Sequence, residues 1–361
     1  MNILKLHSSP NPRQQGGRRF SMTQRIELKI GNVLDKLKRI ESDSVDCIVS
    51  SPPYYGLRKY KAPDVDWGDW KGQLGLEPTY KMYLDHLLLI TAELKRVLKP
   101  TGTLWWNMGD SYNGNKKGKT DKKVAEYVEQ TQKGLHKELQ DMPAKSLMQL
   151  PQRFAIRMQD EQDWILRNTM IWKKRNHMPS SVKDRLANSY EFIFFFTKQK
   201  RYFFNLDAVR VPNKVVGVTD MRPPVLRQKL YQKSYTRYAT ADDSHLAQYS
   251  KSHSGYVNYD GSLRFNPLGK NPGDVLELST QPFKGSHFAV FPPKLPEFCI
   301  KVGSPENGVI LEPFAGSGTT LMVARQLGRS AIGIELSEEY AKMIKQRLGW
   351  GCGLDIEWKE D

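Results

Sequence analysis

The chain has 361 residues, more than one hydrophobic core usually organises, so a large domain carrying a smaller one is the first expectation. Lys and Arg outnumber Asp and Glu by 16, which suits a polyanionic partner such as nucleic acid, and a hydrophobic content of 39% is enough for a real core. Three widely spaced cysteines (Cys47, Cys299 and Cys352) exclude a disulfide framework, and no apolar run approaches the roughly 18–20 residues of a membrane span, so a reducing, cytoplasmic setting without membrane contact is expected.

Residues 1–23 are rich in Ser, Pro, Gly and Arg and are expected to be disordered. Ile26, Leu28 and Ile30 alternate with polar residues and read as a strand, ended by Gly31. Val33, Leu34, Leu37 and Ile40 recur at helical spacing. Val45 to Val49 is a second strand. A long amphipathic helix runs through Tyr83, Leu87, Ile90, Leu94 and Leu98 and is stopped by Pro100 and Gly102; Thr103 to Met108 is a third strand. This β-α-β-α-β rhythm predicts a parallel sheet covered by helices. Residues 112–145 are Lys-rich, have few apolar anchors, and read as an insertion or mobile loop. A helix then carries Leu147, Leu150, Phe154 and Met158, followed by strands at Trp164–Trp172 and Tyr190–Lys198.

Residues 207–281 mix Arg, Lys and Tyr with few aliphatic residues, and are expected to stand outside the buried sheet as a separate small region. The rhythm returns over 282–349, with a strand at Val309–Pro313, a helix at Thr319–Leu327, a strand at Ser330–Leu336 and a helix at Glu338–Leu348 capped by Ser337. Residues 350–361 form a tail. The expected class is α/β: a doubly wound, mostly parallel sheet in which 24–206 and 282–349 make one catalytic domain around the 207–281 insertion.

Leu311 to Thr320 reads LEPFAGSGTT and joins a buried strand to a helix. Its glycines let the chain turn sharply and let a ligand approach main-chain atoms, and the helix N-terminus can meet a carboxylate. Glu335 ends the next strand about 20 residues on, where an acid can accept hydrogen bonds from ribose hydroxyls. A third glycine at dinucleotide spacing is missing, and no Lys follows Gly318 as in a P-loop. The set points to an adenosine-containing cofactor without naming it.

Ser51-Pro52-Pro53-Tyr54 follows the second strand, at the sheet edge where α/β proteins place ligands. An exocyclic amine of cytosine or adenine is a poor nucleophile because its lone pair is conjugated into the ring. Two acceptors on its hydrogens, here Ser51 Oγ and the Pro52 carbonyl, would draw the nitrogen towards tetrahedral geometry and free that pair. The two prolines hold the segment rigid, and Tyr54 offers a face to a base swung out of the duplex. In isolation the tetrapeptide is also an ordinary turn.

Taken together, Ser51–Tyr54 early in the chain and Phe314–Gly318 late in it resemble the amino-methyltransferases of DNA. The order is that of the permuted (beta) class, in which catalytic motifs precede the cofactor motif and a target-recognition region lies between. Gly31-Asn32, Arg96–Thr103, Asn107–Tyr112, Trp172–Lys198 and His287–Pro292 also resemble family core, so the likeness covers most of 24–348 apart from 112–145 and 207–281. It implies the methyltransferase fold with an antiparallel final strand, and S-adenosylmethionine as cofactor. It implies catalytic roles for Ser51, Pro52, Pro53 and Tyr54, and cofactor contacts from Asn32, Phe291, Pro313, Phe314, Gly316, Gly318, Thr319 and Glu335. Many members carry Asp where this chain has Asn32. Ser in the first catalytic position leans towards cytosine N4 and Asp or Asn towards adenine N6, although the usual cytosine form has Thr where Ser50 stands.

The implied partner is double-stranded DNA, with a cognate restriction endonuclease and a homodimer left open. Arg210, Arg222, Arg227, Lys229, Lys233 and Arg237 are the residues expected to hold and read it, since Arg binds guanine bidentately and basic groups neutralise phosphates. No metal site is expected, because no cysteine or acid cluster joins His245 and His253.

Overall fold

The computed structural model describes residues 24–114, 141–177, 180, 182–212, 266, 268–280 and 291–349. In chain order the elements are β1 (Ile26–Ile30), α1 (Val33–Leu37), β2 (Val45–Ser50), a hairpin of β3 (Val65–Asp66) and β4 (Lys71–Gly72), α2 (Tyr80–Val97) and β5 (Leu98–Met108). They continue with α3 (Leu150–Gln162), β6 (Ile165–Lys174), β7 (Tyr190–Thr197), a 3-10 turn (Leu206–Val209) and β8 (Val275–Leu278). The last block is α4 (Lys294–Gly303), β9 (Val309–Glu312), α5 (Thr319–Gln326), β10 (Ser330–Glu335) and α6 (Glu338–Arg347).

Eight strands form one sheet in the order β1-β10-β9-β2-β5-β7-β6-β8. β1, β10, β9, β2 and β5 are mutually parallel, β7 is antiparallel to both β5 and β6, and β6 runs parallel to β8. Alternating side chains feed two cores, one on each face. Ile48, Leu104, Trp106, Phe194 and Phe196 pack under α1, α2 and α3. Cys47, Val49, Trp105, Ile193 and Phe195 pack under α4, α5 and α6. β2 is buried along its whole length, as a central strand covered on both sides must be. Trp105 stacks on Phe195 with centroids 4.1 Å apart, and Trp106 stacks on Phe154 at 5.3 Å. Each such ring contributes roughly 1.5–3 kcal/mol by burial.

Three expectations are corrected. The antiparallel strand is β7, inside the sheet between β5 and β6, and not the final strand of the chain; the last strand, β10, is parallel and internal. The 207–281 stretch does not stay outside the sheet: β8 pairs with β6 and supplies an edge. An edge strand buries only one row of side chains, so the half-buried Leu276 and Leu278 alternating with exposed Val275 and Glu277 suffice where a central strand would need a continuous apolar run. The third is α4, to which the periodicity assigned no element. Pro293 holds its N-cap position and Pro296 lies in its first turn, where no intrahelical N–H is needed, so these prolines mark a helix start.

The two insertions leave from closed necks. Tyr112 pairs with Leu147, and Asn113 N–H donates to the Ser146 carbonyl at 2.8 Å, so the excursion starts and ends at one point. Val211 pairs with Lys270 in the same way, with N–H···O distances of 3.0 and 2.9 Å. Residues 115–140 and 213–265 lie outside the described residues. No helix among the described residues is long and apolar enough to cross a membrane.

Candidate active site

β2 and β9 are parallel neighbours, Cys47 beside Ile310 and Ile48 beside Leu311. From β2 the chain crosses over through α2 on one face; from β9 it crosses through α5 on the other. The strand order therefore reverses between them, and the two loops that leave their carboxyl ends open a crevice. Into it project Ser51–Tyr54 from one loop and Pro313–Gly316 from the other, lining a single cavity of about 990 Å³.

Glu312 ties the two loops together. Ser50 Oγ donates to its Oε1 at 2.6 Å, Thr320 Oγ1 donates to Oε2 at 2.8 Å, and the Phe314 amide donates to Oε1 at 3.2 Å. Burial pushes this carboxyl up to about 8, against those hydrogen bonds, with a smaller push from the charge of Glu335. Sequence reasoning did not single out Glu312. Its only signal was an acid closing a buried strand, next to Pro313.

A pH dependence follows. A free Glu ionises near 4.5, so between there and about 8 the folded chain holds a proton that the unfolded chain has lost. Stability therefore falls as pH rises through this window, by at most about 1.4 kcal/mol per pH unit. Glu335, with its carboxyl pushed up to about 7, acts with the same sign over the lower part. Glu312→Gln is expected to reduce the fall of the thermal midpoint with pH, most clearly between about pH 7 and 8. An unaltered slope in the variant would remove Glu312 from this account.

On the catalytic side, Ser51 Oγ donates to Tyr54 Oη at 3.2 Å, and Tyr54 Oη donates to Glu191 Oε2 at 2.7 Å. Asn107 Oδ1 lies 3.2 Å from the same hydroxyl, and its Nδ2 donates to the Phe192 carbonyl at 3.0 Å, which fixes the amide's orientation. Lys174 Nζ pairs with Glu191 Oε1 and sits 4.9 Å above the Trp172 ring. Tyr83 Oη donates to the Pro53 carbonyl at 2.8 Å and holds the diproline segment from α2, while Pro52 lines the cavity. Gly109 gives the Tyr54 ring its place, since a Cβ there would come within 2.7 Å of Cε2. Burial first, and the charge of Glu191 second, push the Tyr54 hydroxyl far above its ordinary value, so it stays neutral. Glu191 and Lys174 were not picked out individually in the sequence, because the ends of β6 and β7 meet the Ser51 loop only through sheet pairing.

On the cofactor side, Glu335 is 8% exposed; its Oε2 accepts from the Gly316 amide at 2.7 Å and its Oε1 from the Ser337 amide at 2.8 Å. Each oxygen keeps a lone pair for a further donor. Gly316, at φ +54°, bends the backbone so that its amide reaches Glu335. Gly318, at φ +76°, does not line the cavity. A Cβ there would stand 3.1 Å from Ile344, so its bareness lets α5 approach α6. Asn32 lines the cavity, and its Oδ1 caps α1 through the Leu34 amide at 3.1 Å, which leaves Nδ2 as the side chain's donor. Phe291, Pro313, Phe314 and Thr319 all line it. Arg347 Nη1 donates to the side chains of Ser317 at 3.0 Å and Thr319 at 2.9 Å, bracing the loop from α6. A buried carboxylate for a vicinal diol, aromatic and aliphatic walls and a spare amide donor fit an adenosine-bearing ligand.

Of the residues expected to hold nucleic acid, Arg210 is tied inward. Its Nε pairs with Asp207 and its Nη1 donates to the Gly269 carbonyl at 3.0 Å, bracing the neck of the insertion. Arg222, Arg227, Lys229, Lys233 and Arg237 lie outside the described residues, as do 287–290 and both His245 and His253. Among the described residues no group of His, Cys, Asp or Glu side chains is placed to hold a metal ion.

The family model described as DNA methylase, of N6/N4 type, matches residues 45–346. The chain belongs to this DNA methylase family. It is 35% identical to the Type II methyltransferase M.XycI of Xanthomonas campestris pv. cyanopsidis over 88% of its own length and 86% of that protein. It is 32% identical to the Type II methyltransferase M.SmaI of Serratia marcescens, covering 88% and 89%. Among solved structures, the cytosine-N4-specific PvuII DNA methyltransferase superposes with a TM-score of 0.55 at 19% identity, covering 90% of this chain and 87% of that one. A putative DNA modification methylase from Thermus thermophilus, solved with S-adenosyl-L-methionine, gives 0.51 at 21% identity, covering 92% and 99%. These two likenesses share the fold of this DNA methylase, with its mostly parallel eight-stranded sheet.

Proposed function

We propose that this DNA methylase is a Type II modification enzyme that methylates the N4 amino group of cytosine in duplex DNA, on a base swung out of the helix, and that it works beside a cognate restriction endonuclease. The observation that carries this reading is the placement of Ser51, with the Tyr54 hydroxyl on it, in the same cavity as Glu335 and the Gly316 loop. Ser51 in the first catalytic position supports cytosine N4 over adenine N6.

Bound S-adenosylmethionine supplies an electrophilic methyl group. The chain's own residues do the rest. Ser51 Oγ and the Pro52 carbonyl accept the two amine hydrogens and free the nitrogen lone pair. Tyr83, through the Pro53 carbonyl, keeps that segment in place. Glu335 and the Asn32 amide hold the ribose and adenine, with Phe314 and Phe291 closing the walls. The 213–265 stretch, with Arg222, Arg227, Lys229, Lys233 and Arg237, is the proposed reader of the recognition sequence.

The test is to incubate the protein with tritiated S-adenosylmethionine and unmethylated genomic DNA, digest to nucleosides and identify the labelled product. Label in N4-methylcytosine is expected. Label in N6-methyladenine would keep the mechanism and overturn the base. No label, with DNA and cofactor both bound, would make the chain an inactive relative.

A further inference from the structure

We propose that Glu191 receives the proton that the target amine must release, delivered through Ser51 and Tyr54. The inference rests on the amino-methylation reading above. An amine nitrogen that has taken on a methyl group carries a positive charge and an excess proton. Ser51 is a neutral hydroxyl and cannot keep that proton, so it needs somewhere to send it.

The hydrogen bonds run one way. Ser51 Oγ–H points to Tyr54 Oη over 3.2 Å, and Tyr54 Oη–H points to Glu191 Oε2 over 2.7 Å. As Ser51 Oγ takes the proton from nitrogen, its own proton passes to Tyr54 Oη and that of Tyr54 passes to Glu191. One N–H bond breaks and one O–H bond forms on the carboxylate. Ser51 and Tyr54 end as neutral hydroxyls, as they began, and no electrons are gained or lost by either.

The other groups within reach do not fit the role. Asn107 Oδ1 also lies 3.2 Å from Tyr54 Oη, but an amide oxygen cannot hold a proton at neutral pH. Asp110 lines the same cavity, and its Oδ1 accepts from the amides of Ser111 at 2.8 Å and Leu150 at 3.1 Å, but it makes no hydrogen bond to Ser51 or Tyr54, so no chain of hydrogen bonds leads to it from the amine. Glu312 and Glu335 serve the cofactor loop. The groups that face Glu191 are Lys174 from β6, Tyr54 from the loop after β2 and Asn107 from β5 through Tyr54. Lys174 pairs with Oε1, which leaves Oε2 to Tyr54. The high proton affinity of the buried Tyr54 hydroxyl makes it a conduit and not a store, because a tyrosinate there is disfavoured.

The experiment measures single-turnover methyl transfer to unmethylated genomic DNA with the full chain at saturating cofactor. Glu191→Gln keeps an acceptor for Tyr54 but cannot take the proton, so the rate should fall about 10²-fold. Glu191→Asp should restore part of the rate. Because Glu191→Gln also strips Lys174 of its partner, Tyr54→Phe is the second variant; it leaves that pair intact and should lose a similar factor. The double variant should be no slower than the worse single one. Cofactor affinity by titration should stay at the wild-type value throughout. A Glu191→Gln enzyme with the wild-type rate, or a slow one whose rate Glu191→Asp does not restore in part, overturns the relay while the methylation reading stands. A wild type that labels no base removes both.

Discussion

Ser51→Ala is expected to cut single-turnover methyl transfer by about 10²- to 10⁴-fold, the range for removing a group that handles a proton at the reacting atom. The variant loses the proposed acceptor for one amine hydrogen and the hydrogen bond to Tyr54. It should not lose the fold. Ser51 is only partly buried, and its neighbours are held by other bonds: Pro53 by Tyr83, Tyr54 by Glu191, and Ser50 by Glu312. Cofactor titration and DNA binding should therefore match wild type, and only the chemical step should slow. Near-normal turnover would remove Ser51 from the mechanism and leave the Pro52 carbonyl as the acceptor that matters.

Glu335→Ala is the second large effect, and it falls on binding. The carboxylate organises the Gly316 and Ser337 amides at 2.7 and 2.8 Å, and its remaining lone pairs are the proposed ribose acceptors. Hydrogen bonds to a charged acceptor contribute about 1.5–3 kcal/mol each, so affinity should drop on the order of 10²- to 10³-fold. Burial pushes this carboxyl up to about 7, while hydroxyl donors favour its ionised form. Affinity should thus weaken as pH falls below about 7, approaching tenfold per unit. Glu335→Gln should bind weakly and lose that dependence. Isothermal titration across pH reads both. A wild-type affinity that is flat with pH, together with an unweakened Glu335→Ala, would move the ribose elsewhere in the cavity.

Much of this was legible in the chain. Local pattern placed β1, β2, β5 and β10, and α2 and α6: β1 and the helices each bury a regular stripe, β2 is a short run buried throughout, and Ser337 caps α6. Ser51–Tyr54 and Leu311–Thr320 were readable because a ligand loop that follows a buried strand needs particular residues at consecutive positions. Tertiary structure decided what depends on strand order. That β2 and β9 lie side by side, 262 residues apart at the Ser50–Glu312 bond, is set by which faces α2 and α5 cover, and no local pattern records it. The same holds for Glu191. A single acid at the start of an aromatic strand acquires a role only when β7 inserts antiparallel beside β5 and brings it to Tyr54. β8 escaped the reading because an edge strand needs so few apolar residues, and α4 because its prolines sit where a helix can accept them. Local sequence fixes elements through backbone preference and one-sided burial. The meeting of two loops or two strand ends is fixed by the packing of the whole sheet.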